Sequence, residues 1–183
     1  MRLKLKTAPA VEPITLNEAK NHLRVDTAND DTLITALITT ARQLAERETK
    51  RAFITQTWEM YLDSATAEIE IPKSPLQSIT SIKVISEAGV SSEVSNTWYV
   101  VDVSENLPGR VKLKSGYTWP SHRNFASFII EFKAGYGDAA TNIPEPLRQA
   151  ILQLIGFLYD NRGAEEIPKG IKQLLWPYKI LRI

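Results

Sequence analysis

The sequence predicts an α+β fold: a helical core of about four helices, into which an antiparallel β subdomain of about six short strands is inserted. Three observations carry that prediction. The stretch Leu147–Tyr159 is apolar on most of its helical circumference, because Gln149, Gln153, Gly156 and then Asp160 fall on one narrow stripe. A second stretch, Asp30–Arg51, repeats Leu33, Leu37, Ala41 and Leu44 at helical spacing, with Ile34, Ile38 and Ala45 widening the stripe. Between them, from Thr55 to about Lys133, the hydrophobic period drops from about 3.6 to two, and β-branched and aromatic residues take over. A helix apolar on most faces must be covered from more than one side. The 147–159 helix has apolar surface to spare and the 30–51 helix has one stripe to bury, so the two are expected to pack together. The chain accordingly divides into residues 1–54 (arm and first helices), 55–135 (β insertion) and 136–183 (last helices of the same core, plus a terminal tail).

In chain order, residues 1–13 read as an extended arm leading into the helices. Thr15-Leu16-Asn17-Glu18 is a capping box, hydroxyl at the N-cap and carboxylate three residues on, and Leu16, Ala19 and Leu23 give the helix behind it a short apolar face. In the long helix, Asp30-Asp31 at the start and Lys50-Arg51 at the end complement the macrodipole. Arg42, Glu46 and Lys50 read as a solvent-facing i,i+4 series. Strands are then expected around Trp58, Met60 and Leu62; Ile69 and Ile71; Ile82 and Val84; Tyr99, Val101 and Val103; Val111 and Leu113; and Phe128, Ile130 and Phe132. Leu107-Pro108-Gly109-Arg110 is a turn signal, and 116–124 and 135–142 read as loop excursions. Pro144 and Pro146 suit a helix start that needs no backbone donors, and Asp160-Asn161-Arg162-Gly163 suits its end. A last short helix near Pro168 shows Ile171, Leu174 and Leu175 and stops at Trp176-Pro177. The remaining Tyr178–Ile183 is unusually apolar for a terminus, and reads as needing a partner or a groove.

Composition narrows the chemistry. The 183 residues carry a formal net charge of +1, so no global basic field points to nucleic acid as the main ligand. There is no cysteine, which removes disulfides, thiolate zinc sites and thiol nucleophiles together. The basic N-terminus has no apolar run of the kind a signal peptide needs, and no stretch approaches the length of a membrane span, so a cytosolic chain is expected. His22 and His122 lack metal-ligand spacing. Asp30-Asp31 is covered by the helix start, and Glu165-Glu166 by a solvated loop. Gly135-Tyr136-Gly137-Asp138 lacks the Gly-Lys-Ser/Thr that a phosphate loop requires, and no serine stands in a G-x-S-x-G elbow. No catalytic site, metal site or cofactor is expected, and the residues alone point to a binding or assembly protein.

A set of ordered segments adds to this reading. They are Ile14–Asp26 (ITLNEAKNHLRVD), Asp30–Ile34 (DDTLI), Arg51–Trp58 (RAFITQTW), Ile71–Leu76 (IPKSPL), Gly135–Asp138 (GYGD), Pro144–Ile151 (PEPLRQAI), Leu158–Arg162 (LYDNR) and Leu175–Tyr178 (LWPY). In that order and spacing the chain resembles the head–tail connector (adaptor, head-completion) proteins of long-tailed bacteriophages and prophages. The resemblance implies a non-enzymatic virion assembly protein located in the neck, made in the host cytoplasm. It would form a homo-oligomeric ring under the portal protein, dock a stopper or tail-completion protein, and let genomic DNA pass through its lumen without sequence readout. A closed ring of roughly twelve copies needs head-to-tail interfaces between unlike patches.

Carried onto this chain, the resemblance makes Leu174, Leu175, Trp176, Tyr178, Ile180, Leu181 and Ile183 candidates for portal binding. Trp98, Trp119 and Tyr136 are candidate aromatic anchors between ring neighbours, and Lys169, Lys172, Lys179 and Arg182 candidate phosphate contacts. Two other roles compete: another neck component such as a stopper or terminator, and a DNA-binding regulator. The second lacks a helix-turn-helix with a basic recognition helix.

Overall fold

The structure, a computed structural model, describes residues 1–104, 107–161 and 166–180. The chain forms two compact units, one from residues 1–8 and 55–135 and the other from residues 9–54 and 136–183.

The second unit is helical: α1 (Leu16–Leu23), α2 (Asp31–Thr49), α3 (Glu145–Asp160) and α4 (Lys169–Leu175). The capping box forms as expected. Thr15 Oγ1 accepts the Glu18 amide at 3.2 Å, and the Glu18 carboxylate accepts the Thr15 amide at 2.7 Å. Along α3, Leu147, Ala150, Ile151, Leu154 and Ile155 are buried while Gln149, Gln153 and Asp160 stay exposed, so the narrow polar stripe is where the sequence put it. Its partner is α2, through Ile34, Ile38, Ala41 and Ala45. Ala19, Phe53, Ile54, Ile171 and Leu175 close the same core.

Two expectations about α2 are corrected. The leucines read as the middle of its stripe form a flank, with Leu33 37% exposed. The buried face is rotated toward Ile34 and Ile38 and continues through Arg42, Glu46 and Thr49. Arg42 and Glu46 are therefore buried and not solvent-facing. That is tolerable because Arg42 pairs with both Glu46 and Glu12, and because Glu46 also accepts the Phe53 amide at 2.9 Å.

The first unit is all β: β1 (Arg2–Thr7), β2 (Gln56–Leu62), β3 (Glu68–Ile71), β4 (Leu76–Ile85), β5 (Ser91–Glu93), β6 (Tyr99–Asp102), β7 (Gly109–Leu113) and β8 (Phe128–Ala134). One sheet has the order β1-β2-β8-β4-β5 and the other β3-β7-β6, with every pairing antiparallel. All six expected strands are present, joined by β5, three exposed polar residues with no hydrophobic signal, and by β1. The arm is thus not part of the helical unit: Leu3 lies opposite Met60 and Lys4 opposite Glu59, so residues 2–7 extend the sheet. Lysines on such an edge also discourage pairing with stray strands.

Register separates the faces of the larger sheet. Met60, Ile130 and Ile82 align across β2, β8 and β4 and are fully buried, as are Phe128, Val84 and Phe132. The opposite face carries Lys4, Glu59 and Glu131 in one row. Like charges directly opposite repel. Lys6 lies 2.6 Å from Glu131 and 3.7 Å from Glu59, which offsets that repulsion and raises the lysine's pKa. The two sheets meet at Gly109, where a Cβ would fall 2.3 Å from Leu76 Cδ2.

Candidate functional site

The groups considered for chemistry are used structurally. His122 Nδ1 lies 2.9 Å from the Pro120 carbonyl, and its ring packs edge-on against Phe128. His22 packs over Gly156 on α3. In the 135–138 loop, Gly135 donates its amide to Pro75 and Tyr136 to Phe53, and a Cβ on Gly137 would strike Asn142. The amides of Gly135 and Tyr136 are thus committed to the chain's own carbonyls. Among the described residues no group of three or more His, Cys, Asp or Glu converges to hold a metal, and no helix is long and apolar enough to cross a membrane.

What remains is surface built for contact. Of the apolar C-terminal candidates, Leu175 is fully buried and Leu174 and Tyr178 are half-buried against the helical core. Ile180 is 6% exposed, and its amide donates to the Thr49 carbonyl at 3.0 Å. Arg51 donates to the Tyr178 carbonyl and Lys179 pairs with Glu48 at 2.7 Å, so the chain is clipped to its own unit through residue 180. Up to Ile180, the apolar terminal segment thus finds a groove on its own unit. Among the described candidates Trp176 alone stands out, 61% exposed, with the Lys179 ammonium 5.7 Å from its ring. Leu181, Arg182 and Ile183 lie outside the described residues.

The three aromatic candidates each have an internal contact. Trp98 stacks on Tyr117 at 5.3 Å. Trp119 donates to the Thr66 carbonyl at 2.7 Å and meets Phe128 edge-on. Tyr136 is partly buried in the helical core with Arg51 over its ring. Of the basic candidates, Lys169 is exposed and Lys172 half-exposed, while Lys179 is neutralised by Glu48.

Two features of the β unit escaped the sequence reading. Phe125 is 75% exposed on the turn before β8. That turn is held from all sides: the Ala126 amide donates to Asp63, the Ser127 hydroxyl to the Asp63 carbonyl, and Arg123 to the Ala126 carbonyl. Ala126 sits at φ 47°, a left-handed conformation that costs a non-glycine residue about 1–2 kcal/mol. The sequence signal was an aromatic in Asn124-Phe125-Ala126-Ser127, outside any strand alternation.

The other feature is a shallow cleft of about 220 Å³ on the smaller sheet. It is lined by Glu68, Val100, Val101, Asp102, Arg110 and Lys112, and the register places Val100 on the same face as the four charged side chains. Arg110 bridges Glu68 and Asp102 at 3.0 and 2.8 Å, and with Lys112 it holds the Glu68 carboxyl below the usual range. β6 is an edge strand, so its exposed valines border unpaired backbone.

Among the described residues the side chains weighed for chemistry converge on no reactive site, while Phe125 and Trp176 are held out to solvent. The comparison with known families supplies the class of protein. Residues 13–112, more than half of the chain, match the phage gp6-like head-tail connector protein family, and the chain belongs to that family. It is a structural connector. Over its whole length it also matches solved chains that cover 97% of their own. In the neck of an empty GTA particle computed with C6 symmetry the TM-score is 0.85 at 22% identity. In the virion of the native gene transfer agent (GTA) particle it is 0.83 at 24%, and in the neck of the native GTA particle computed with C12 symmetry 0.79 at 23%. At these identities the likeness is one of fold. No curated protein sequence matches the chain.

Proposed function

We propose that this connector acts in the virion neck as a homo-oligomeric ring, a dodecamer below the portal protein, which lengthens the DNA channel and docks the next stopper or tail-completion protein. The observation that carries this reading is the full-length match to chains of particle necks, one of them computed with C12 symmetry, together with membership of the connector family. The role is mechanical and needs no catalysis. Portal contact falls to Trp176, the one strongly exposed aromatic of the C-terminal segment, and to the residues beyond Ile180. DNA in the lumen would meet weak, sequence-independent contacts, for which the exposed Lys169 and the neighbouring Lys172 suffice.

The test is native mass spectrometry of the purified chain, alone and with portal, with co-sedimentation as a check. A stoichiometric complex with portal containing about twelve connector copies is expected, in line with closed cyclic assembly. A chain that stays monomeric beside portal and binds a tail-completion protein instead would overturn the adaptor reading.

A further inference from the structure

We propose that β1 is an exchangeable strand, and that in the ring it lies on the β2 edge of the adjacent copy, in the register it takes on its own. The proposal rests on the ring reading above and names one of the links that close the ring.

Both halves of the contact are visible within one chain. The arm, residues 1–7, carries Arg2, Lys4 and Lys6 and no acid. The edge that receives it carries Glu59, directly opposite Glu131 on β8. Two facing carboxylates repel, and the arm supplies the cations that compensate them. The register shifts between Leu5 and Thr7, a bulge that leaves Lys6 out of the pairing. Its ammonium then reaches across β2 to Glu131 at 2.6 Å. Lys4 lies 3.9 Å from Glu59, and the Arg2 guanidinium lies 4.7 Å from the centre of the Tyr61 ring. Arm and edge are unlike and complementary, as a head-to-tail ring requires of every protomer.

The arm is also easily released. Within β1 only Leu3 is even half-buried, and Leu5 is 42% exposed. Its lysines are largely exposed, so each ion pair contributes little. Segments with so few buried apolar contacts open at the low end of a fold's stability range. The hinge behind the arm is short. The chain leaves the β unit after Ala8, while Glu12 is clamped to Arg42 at 2.7 Å and the Pro13 carbonyl to Arg148 at 3.2 Å. That confines the hinge to residues 8–11, which include Pro9. Short hinges invite exchange of an element between copies. Even fully extended, residues 8–11 reach only about 14 Å, so the recipient must be an adjacent copy. Exchange reproduces the same contacts at little net cost, and the high local concentration of edges in a ring favours it.

The absence of cysteine allows a clean test. Lys4 and Glu59 are cross-strand partners, so cysteines at both positions stand within disulfide reach whenever an arm is docked. In the dilute free chain, the double variant Lys4→Cys/Glu59→Cys should close within single chains under mild oxidation, which shows that arm and edge still meet. An equal mixture of full-length Lys4→Cys and Glu59→Cys chains is then assembled on portal and oxidised. Exchange predicts a mixed disulfide dimer that takes up about half of the Lys4→Cys copies, since each arm meets the other variant next door about half of the time. The same mixture without portal should give only background linkage. Rings that form normally yet yield no mixed dimer, while the double variant closes within each chain, would overturn the exchange and leave the ring reading intact. A wild-type chain that forms no ring with portal would overturn both.

Discussion

Arg42 Nη1 donates to Glu46 Oε2 at 2.9 Å inside the helical unit, and both side chains are only 7% exposed. The pair is not isolated. Arg42 Nε also reaches Glu12 at 2.7 Å, and Glu46 accepts the Phe53 amide, so α2 is tied to the segment before α1 and to the chain leaving its own end. Burial opposes the arginine's charge, but the two carboxylates outweigh it and raise its pKa. Removing one partner of such a pair leaves a buried charge uncompensated. Arg42→Met should therefore cost about 3–5 kcal/mol in urea unfolding. Glu46→Gln keeps an acceptor for Phe53 and should cost less. Equal losses in the two variants would count against this account, because Glu46→Gln keeps both the Phe53 acceptor and the Arg42–Glu12 pair.

Gly109 is present because of Leu76. A Cβ at that position would fall 2.3 Å from Leu76 Cδ2 and 2.5 Å from its Cβ, and Leu76 is itself 3% exposed. Gly109→Ala should then destabilise the chain by about 1–3 kcal/mol, as overpacked cores do. Combining it with Leu76→Ala should cost less than the sum of the single changes. Strict additivity in a double-mutant cycle would refute the proposed contact.

These residues also show what could be read from the sequence and what could not. The polar stripe of α3 and the Thr15 capping box were legible because both are local patterns, fixed by helical period and by a three-residue spacing. The apolar residues of α2's buried face were legible too, since Ile34, Ile38, Ala41 and Ala45 all stood in its stripe, but the centre of that face was not. Leu33, Leu37 and Leu44 are more conspicuous than the small Ala41 and Ala45, yet it is the latter that lie in the core with Ile34 and Ile38. Arg42 and Glu46 resembled any exposed i,i+4 pair, because their partners Glu12 and Phe53 are brought in only by the tertiary fold. β1 was missed for a related reason: an edge strand needs no continuous apolar run, and its partner β2 is separated from it by two helices. The family resemblance was legible over nearly the whole chain and the family match covers residues 13–112 of it, whereas the exposed Phe125 turn was not legible, since exposure is a property of the fold.

Acid should weaken the start of α1. The Glu18 carboxyl is held below its usual range chiefly by the Thr15 amide, against the opposing effect of burial, with the Thr15 hydroxyl and Arg148 adding to the lowering. A depressed folded-state pKa means that the unfolded chain takes up the proton first. The stabilisation is therefore complete above the unfolded value of about 4.3 and is lost as pH falls through the lower, folded value. Thermal unfolding followed from pH 7 to pH 3 should show this loss, and Glu18→Gln should remove part of the acid-side slope. Thr15→Ala should cost about 1 kcal/mol at neutral pH. A Glu18→Gln profile parallel to wild type would sink this assignment.

The C-terminal segment divides into a part that holds the fold and a part available to a partner, and two substitutions should separate them. Ile180 is 6% exposed and its amide closes on Thr49, so Ile180→Ala should destabilise the helical unit by about 2–5 kcal/mol, with portal affinity falling only as folded chain is lost. Trp176 is 61% exposed and its loss leaves no cavity, so Trp176→Ala should change stability by no more than about 0.5 kcal/mol. If the portal grips it as an anchor, the same substitution should cost about 2 kcal/mol of binding, roughly thirtyfold in Kd. Calorimetric titration against portal and urea unfolding of both variants give the two readouts. Were Trp176→Ala to bind portal like the wild type while Ile180→Ala lost binding at full folded population, the roles of the two residues would be reversed, and the clip at Thr49 would have to open for the portal to be engaged.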